Sequence, residues 1–74
     1  MAKETLDVRG MSCPLPILRA TKAMKELIPG DLLTVLATDR DAPQDFVSYC
    51  DVTGNELVDT REDNGIYVIV LRRT

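Results

Sequence analysis

The amino-acid sequence predicts a two-layer α/β (α+β) sandwich, with two helices on one face of a mixed four-stranded sheet. Three observations lead there. The hydrophobic pattern changes period along the chain in the order β-α-β-α-β-β. A strand-helix-strand start favours a right-handed parallel crossover, whereas the closing strand pair must be an antiparallel hairpin. Two helices suffice to cover only one face of four strands. With 74 residues, the chain has room for a single domain, 1–74, and it contains no internal repeat, linker or low-complexity segment.

The elements follow in order. Glu4 to Val8 is a strand with Leu6 and Val8 on one face, and Gly10-Met11-Ser12 turns the chain. Pro14 to Ile28 has helical periodicity: Ile17, Thr21, Met24 and Ile28 align with Ala20 and Leu27 as an inward stripe. Pro29-Gly30 is the expected stop, since proline cannot continue the hydrogen-bond ladder and glycine accepts a left-handed turn. Leu32 to Thr38 is apolar on both faces, as in a central strand. Asp41 is the expected N-cap of a second helix, and Gln44 completes a capping-box pattern. Ala42, Phe46, Tyr49 and Cys50 share that helix's buried face. Glu56 to Arg61 and Ile66 to Leu71 are strands joined at Asp63-Asn64-Gly65, where Asn-Gly supplies the positive φ angles of a tight turn.

Composition excludes several functions. The formal charge of −3 and a pI near 4.7 oppose nucleic-acid binding, which relies on clustered Lys and Arg. The nine basic residues are scattered, and the Arg72-Arg73 pair reads as a solvated strand end. No apolar run approaches the roughly 20 residues of a membrane span, and the polar start Met1-Ala2-Lys3-Glu4-Thr5 is unlike a signal peptide. Two distant cysteines in such a chain point to reduced thiols and a cytoplasmic location. Histidine is absent, which removes Cys-His nucleophilic catalysis and His-containing metal sites. Chemistry here falls to a thiol, a carboxylate or a binding surface.

Cys13-Pro14-Leu15-Pro16 is the informative segment. Cys13 is the expected N-cap of the first helix. Pro14 falls at the first helical position and Pro16 at the third, where a missing N–H costs nothing. The Leu15 N–H is expected to be free to face the sulfur. The helix terminus, with Arg9 and Arg19 as further sources of positive charge, is expected to lower the thiol pKa from about 8.5. A lone cysteine is often only a small buried hydrophobe, but a helix start after a glycine-containing turn is an exposed place. Cysteine is also a poor substitute for the Ser, Asp or Asn that capping alone would favour.

The pattern Leu6-Asp7-x-x-Gly10-x-x-Cys13-Pro14-x-Pro16, followed by Pro29-Gly30-Asp31, resembles the TusA (SirA-like) family of sulfur carrier proteins across nearly the whole chain. The resemblance implies that Cys13 accepts persulfide sulfur from a cysteine desulfurase or a rhodanese-type protein. It would then pass the sulfur to an acceptor protein, in tRNA thiolation, molybdenum cofactor synthesis or sulfur oxidation. Pro14 and Pro16 would shape the turn, with Asp7 and Gly10 in its approach. Such a chain is a covalent carrier that works with partner enzymes instead of turning over alone. It needs no cofactor beyond the persulfide sulfur, and no direct nucleic-acid or membrane contact. It is expected to be a monomer when free.

Cys50, beside Phe46 and Tyr49, reads as core. The alternatives are a thiol redox module cycling Cys13 and Cys50, against which the missing Cys-x-x-Cys spacing counts, and a non-catalytic regulatory or interaction module. An internal Cys13–Cys50 disulfide is not expected. If both helices run back from the same edge of the sheet, Cys13 lies at the start of one and Cys50 at the far end of the other. A ten-residue helix spans about 15 Å, whereas a disulfide needs Cα atoms within about 7 Å.

Overall fold

A computed structural model describes residues 2–74. In chain order it contains β1 (Lys3–Val8), α1 (Leu15–Met24), β2 (Leu32–Ala37), α2 (Ala42–Thr53), β3 (Glu56–Asp63) and β4 (Ile66–Arg72), the predicted sequence of elements. The sheet order is β1-β2-β4-β3. β1 and β2 are parallel, while β4 runs antiparallel to both β2 and β3. β2 and β4 are therefore the inner strands, which is why β2 is apolar on both faces.

The core lies between the sheet and the helices. Leu33, Val35 and Ala37 from β2 and Ile69 and Leu71 from β4 are fully buried there, against Ala20 and Met24 of α1 and Phe46 of α2. At the β3–β4 hairpin, Asn64 (φ 51°) and Gly65 (φ 82°) both occupy the left-handed region. A two-residue turn of that hand matches the strand twist. The ladder consequently continues to the Asp63–Ile66 pair, and β3 is longer than its polar end suggests. A register shift between Leu57 and Asp59 leaves Val58 exposed.

Two expectations are corrected. α1 ends at Met24, four residues before the predicted last helical residue, and Ile28 is 68% exposed instead of inward. Its carbonyls have a tertiary partner: Arg73 Nη1 donates to the backbone oxygens of Met24 and Leu27. Arg73 is thus not a solvated strand end, whereas Arg72 does lie at the surface, paired with Glu56 at 2.9 Å.

Asp31, 4% exposed, is the buried charged residue of the described chain. Its carboxylate accepts the N–H of Ile28 (3.1 Å) and of Ala2 (3.0 Å), tying the α1–β2 loop to the start of β1. Those backbone hydrogen bonds, Ile28's first, hold its carboxyl below the usual value. The associated stability is present above the unfolded carboxylate value of about 3.9 and is lost as pH falls through the folded one. Asp31→Asn should lower the melting temperature by several degrees at pH 7 and flatten its acid dependence. Equal melting curves for the two proteins between pH 3 and 7 would refute this role.

Candidate functional site

Because β1 and β2 are parallel, with Val8 opposite Ala37, the loops that follow them leave the sheet at one edge. Residues 9–14 and 38–41 meet there. Asp7 folds the first loop back by accepting the Arg9 backbone N–H (3.1 Å), Nε (2.9 Å) and Nη2 (2.8 Å). The guanidinium beside it holds the Asp7 carboxyl down at about 2. Gly10 takes a φ of 81°, a conformation glycine adopts without penalty, and gives its N–H to Thr38 Oγ1 at 2.8 Å.

Cys13 sits exposed at the tip of this arrangement. Its N–H donates to Asp39 Oδ2 at 2.8 Å, while Asp39 Oδ1 accepts the Asp41 N–H at 3.3 Å. One carboxylate thus stitches the Cys13 loop to the start of α2. The Cys13–Pro14 peptide is cis. Here the local geometry departs from expectation. Pro14, not Cys13, is the N-cap of α1, and the Leu15 N–H donates to the Ser12 carbonyl at 2.9 Å, so it is not free to face the sulfur. Pro16 is buried in the first turn of the helix. At the start of α2, Asp41 is the N-cap as expected but makes no side-chain capping bond.

The electrostatics also reverse the expectation. The Cys13 thiol is raised above its ordinary value, not lowered. The neighbouring Asp45 carboxylate, which favours the protonated thiol over the thiolate, is the largest cause. Desolvation follows, then the negative charges of Asp45, Asp39 and Asp41. The sulfur lies one residue outside the helix cap, where the dipole's pull has weakened, and three carboxylates outweigh it. Neither Arg9, which is paired with Asp7, nor Arg19 contributes. Asp45→Asn should therefore shift the midpoint of the pH profile for Cys13 alkylation by iodoacetamide downwards. A midpoint that stays put or rises would exclude Asp45 as the cause.

Beside the thiol lies an open groove of about 350 Å³ between the two helices, lined by Cys13, Pro14, Ile17, Asp45, Ser48, Tyr49 and Val52. Asp39 and Asp45 were not predicted as site residues. The available signal was the parallel crossover, which obliges the loops after β1 and β2 to share an edge. Cys50 is 6% exposed in the core, where burial raises its thiol, and both cysteines are free. Phe46 and Tyr49 pack edge to face at 6.0 Å beside it. Among the described residues no cluster of His, Cys, Asp or Glu is arranged to hold a metal, and no helix is long and apolar enough to cross a membrane.

Comparison with known proteins agrees with this architecture. The sequence model of the family described as Sulfurtransferase TusA matches residues 4–73. A Neisseria meningitidis protein that carries a provisional sulfur-carrier name is 53% identical over 72 residues, covering 97% of both chains. Sulfur carrier protein TusA of Allochromatium vinosum is 38% identical, over 96% of this chain and 93% of its own. The crystal structure of a SirA-like protein from Desulfitobacterium hafniense superposes with a TM-score of 0.83 at 30% identity, covering 93% of this chain and 95% of that one. With the fold, the Cys-Pro-Leu-Pro turn and these relatives in agreement, the chain belongs to the TusA family of sulfur carriers.

Proposed function

We propose that this protein, as one carrier domain over residues 1–74, accepts sulfane sulfur on Cys13 and hands it to an acceptor protein in the cytoplasm. The supporting observation is the exposed Cys13 thiol lining the inter-helix groove, in a chain whose family is that of sulfur carriers. The Cys13 thiolate attacks the outer sulfur of a donor persulfide. A new S–S bond forms on Cys13, the donor's S–S bond breaks, and its inner sulfur leaves with the electron pair and is protonated. The Cys13 proton passes to solvent, so the exchange involves no net oxidation. Delivery repeats the step with Cys13 as the leaving group. No cofactor takes part. The donor is a cysteine desulfurase or a rhodanese, and the receiving pathway is tRNA thiolation, molybdenum cofactor synthesis or sulfur oxidation.

Pro14 and Pro16 give the turn its shape, and Asp7 and Gly10 set its approach. Incubation with a desulfurase and free cysteine, or with a rhodanese charged with thiosulfate, should add one sulfur atom per chain. Peptide mapping should place it on Cys13, and reductant should remove it. Absence of that adduct with both donor classes, or equal loading of Cys50, would reject the assignment.

A further inference from the structure

The groove next to Cys13 combines two features that a carrier loop alone does not need. Most of its lining is carbon, from Pro14, Ile17, Tyr49 and Val52, and Val52 is 86% exposed. Its rim at the sulfur is acidic on the α2 side: Asp45 lines the groove, Asp39 accepts the Cys13 N–H, and Asp41, whose N–H Asp39 also accepts, caps α2 beside them. Among the described residues none of the three carboxylates is in an ion pair. Ion pairs among the described residues are Arg9–Asp7 and Arg72–Glu56, so Arg40, between Asp39 and Asp41 in the chain, pairs with neither.

Unneutralised like charges around an apolar concavity are complementary to one kind of surface. We propose that the groove seats a partner segment presenting a Lys or Arg side chain next to an aliphatic or aromatic one, the cation meeting Asp45 and Asp41 and the apolar group meeting Tyr49 and Val52. The proposal rests on Cys13 being the sulfur-carrying residue, and it names the chemistry by which donor and acceptor surfaces recognise that site. A cation seated there also favours the thiolate over the thiol, because an opposite charge stabilises the ionised form. Docking and activation are then coupled, and the free carrier is kept less reactive than an ordinary thiol.

Small thiol reagents with one reactive group and different charge test this without any partner, the unfolded chain supplying their intrinsic rate ratio. Cys13 modification is followed by mass mapping with cationic trimethylammonium-ethyl and anionic sulfonato-ethyl methanethiosulfonates, on the folded chain and on the same chain unfolded in urea. Both reagents meet the same thiolate fraction, so their rate ratio does not depend on the thiol pKa. At low ionic strength the folded chain should favour the cation about tenfold more than the unfolded one. That excess should fall severalfold in the Asp41→Asn/Asp45→Asn double variant, which keeps Asp39, and should vanish in the parent at about 1 M salt.

With neutral reagents, the benzyl thiosulfonate should outpace the methyl one on the folded chain, and Val52→Asp should remove the advantage. A ratio equal to that of the unfolded chain, or one insensitive to both the asparagine substitutions and salt, overturns the cationic half. A benzyl advantage that is missing, or that survives Val52→Asp, overturns the apolar half. Failure of sulfur loading from every donor, with the charge selectivity intact, would reject the carrier reading of Cys13 and not the docking chemistry.

Discussion

Cys13→Ser is expected to fold like the parent and to carry no sulfur. Its circular dichroism and melting temperature should match because the side chain is exposed, its backbone N–H can still reach Asp39, and surface substitutions shift stability by less than about 0.5 kcal/mol. Sulfur transfer through a reconstituted relay should fall to the background without carrier, because a hydroxyl cannot form a persulfide. Cys50→Ala should behave in the opposite way. It removes a sulfur that is 6% exposed and leaves a small void, so it should lower stability while retaining full loading at Cys13. Measured side by side, the pair separates a carrier from a two-cysteine redox module. Loss of transfer in a folded Cys50→Ala would favour the redox module, whereas residual transfer in Cys13→Ser would favour a regulatory or interaction module in which Cys13 is incidental.

The largest effect on stability is expected at Phe46. It is fully buried, it is the single phenylalanine of the chain, and it packs edge to face with Tyr49. A domain of this length has a total stability of about 4 to 11 kcal/mol, and Phe→Ala in a core costs about 3–5 kcal/mol. Phe46→Ala should therefore move the urea midpoint down by more than about 1 M and leave a substantial unfolded population at physiological temperature. Val52→Ala, on the same helix but 86% exposed, should shift stability by less than about 0.5 kcal/mol. A small shift for Phe46→Ala would mean that α2 holds to the sheet by other contacts.

The sequence by itself determined the class, the order of the six elements, the inner position of β2 and the turn at Asn64-Gly65. All of these follow from local periodicity and local backbone preference. It also determined the identity of the reactive candidate, since a cysteine between a glycine turn and two prolines is a local pattern. The end of α1 was beyond it, because Arg73, 46 residues from Leu27, supplies the partner for carbonyls that a local pattern would have continued into helix. The cap position was likewise decided by the Ser12–Leu15 turn.

Above all, the charge state of the site was decided by the tertiary structure. Helix-dipole reasoning considers one helix and predicts a lowered thiol. The parallel crossover brings a second helix start to the same edge, and with it Asp39, Asp41 and Asp45. Coulomb interaction depends on distance in space and not along the chain, so three carboxylates some 26 to 32 residues away in sequence raise the Cys13 thiol.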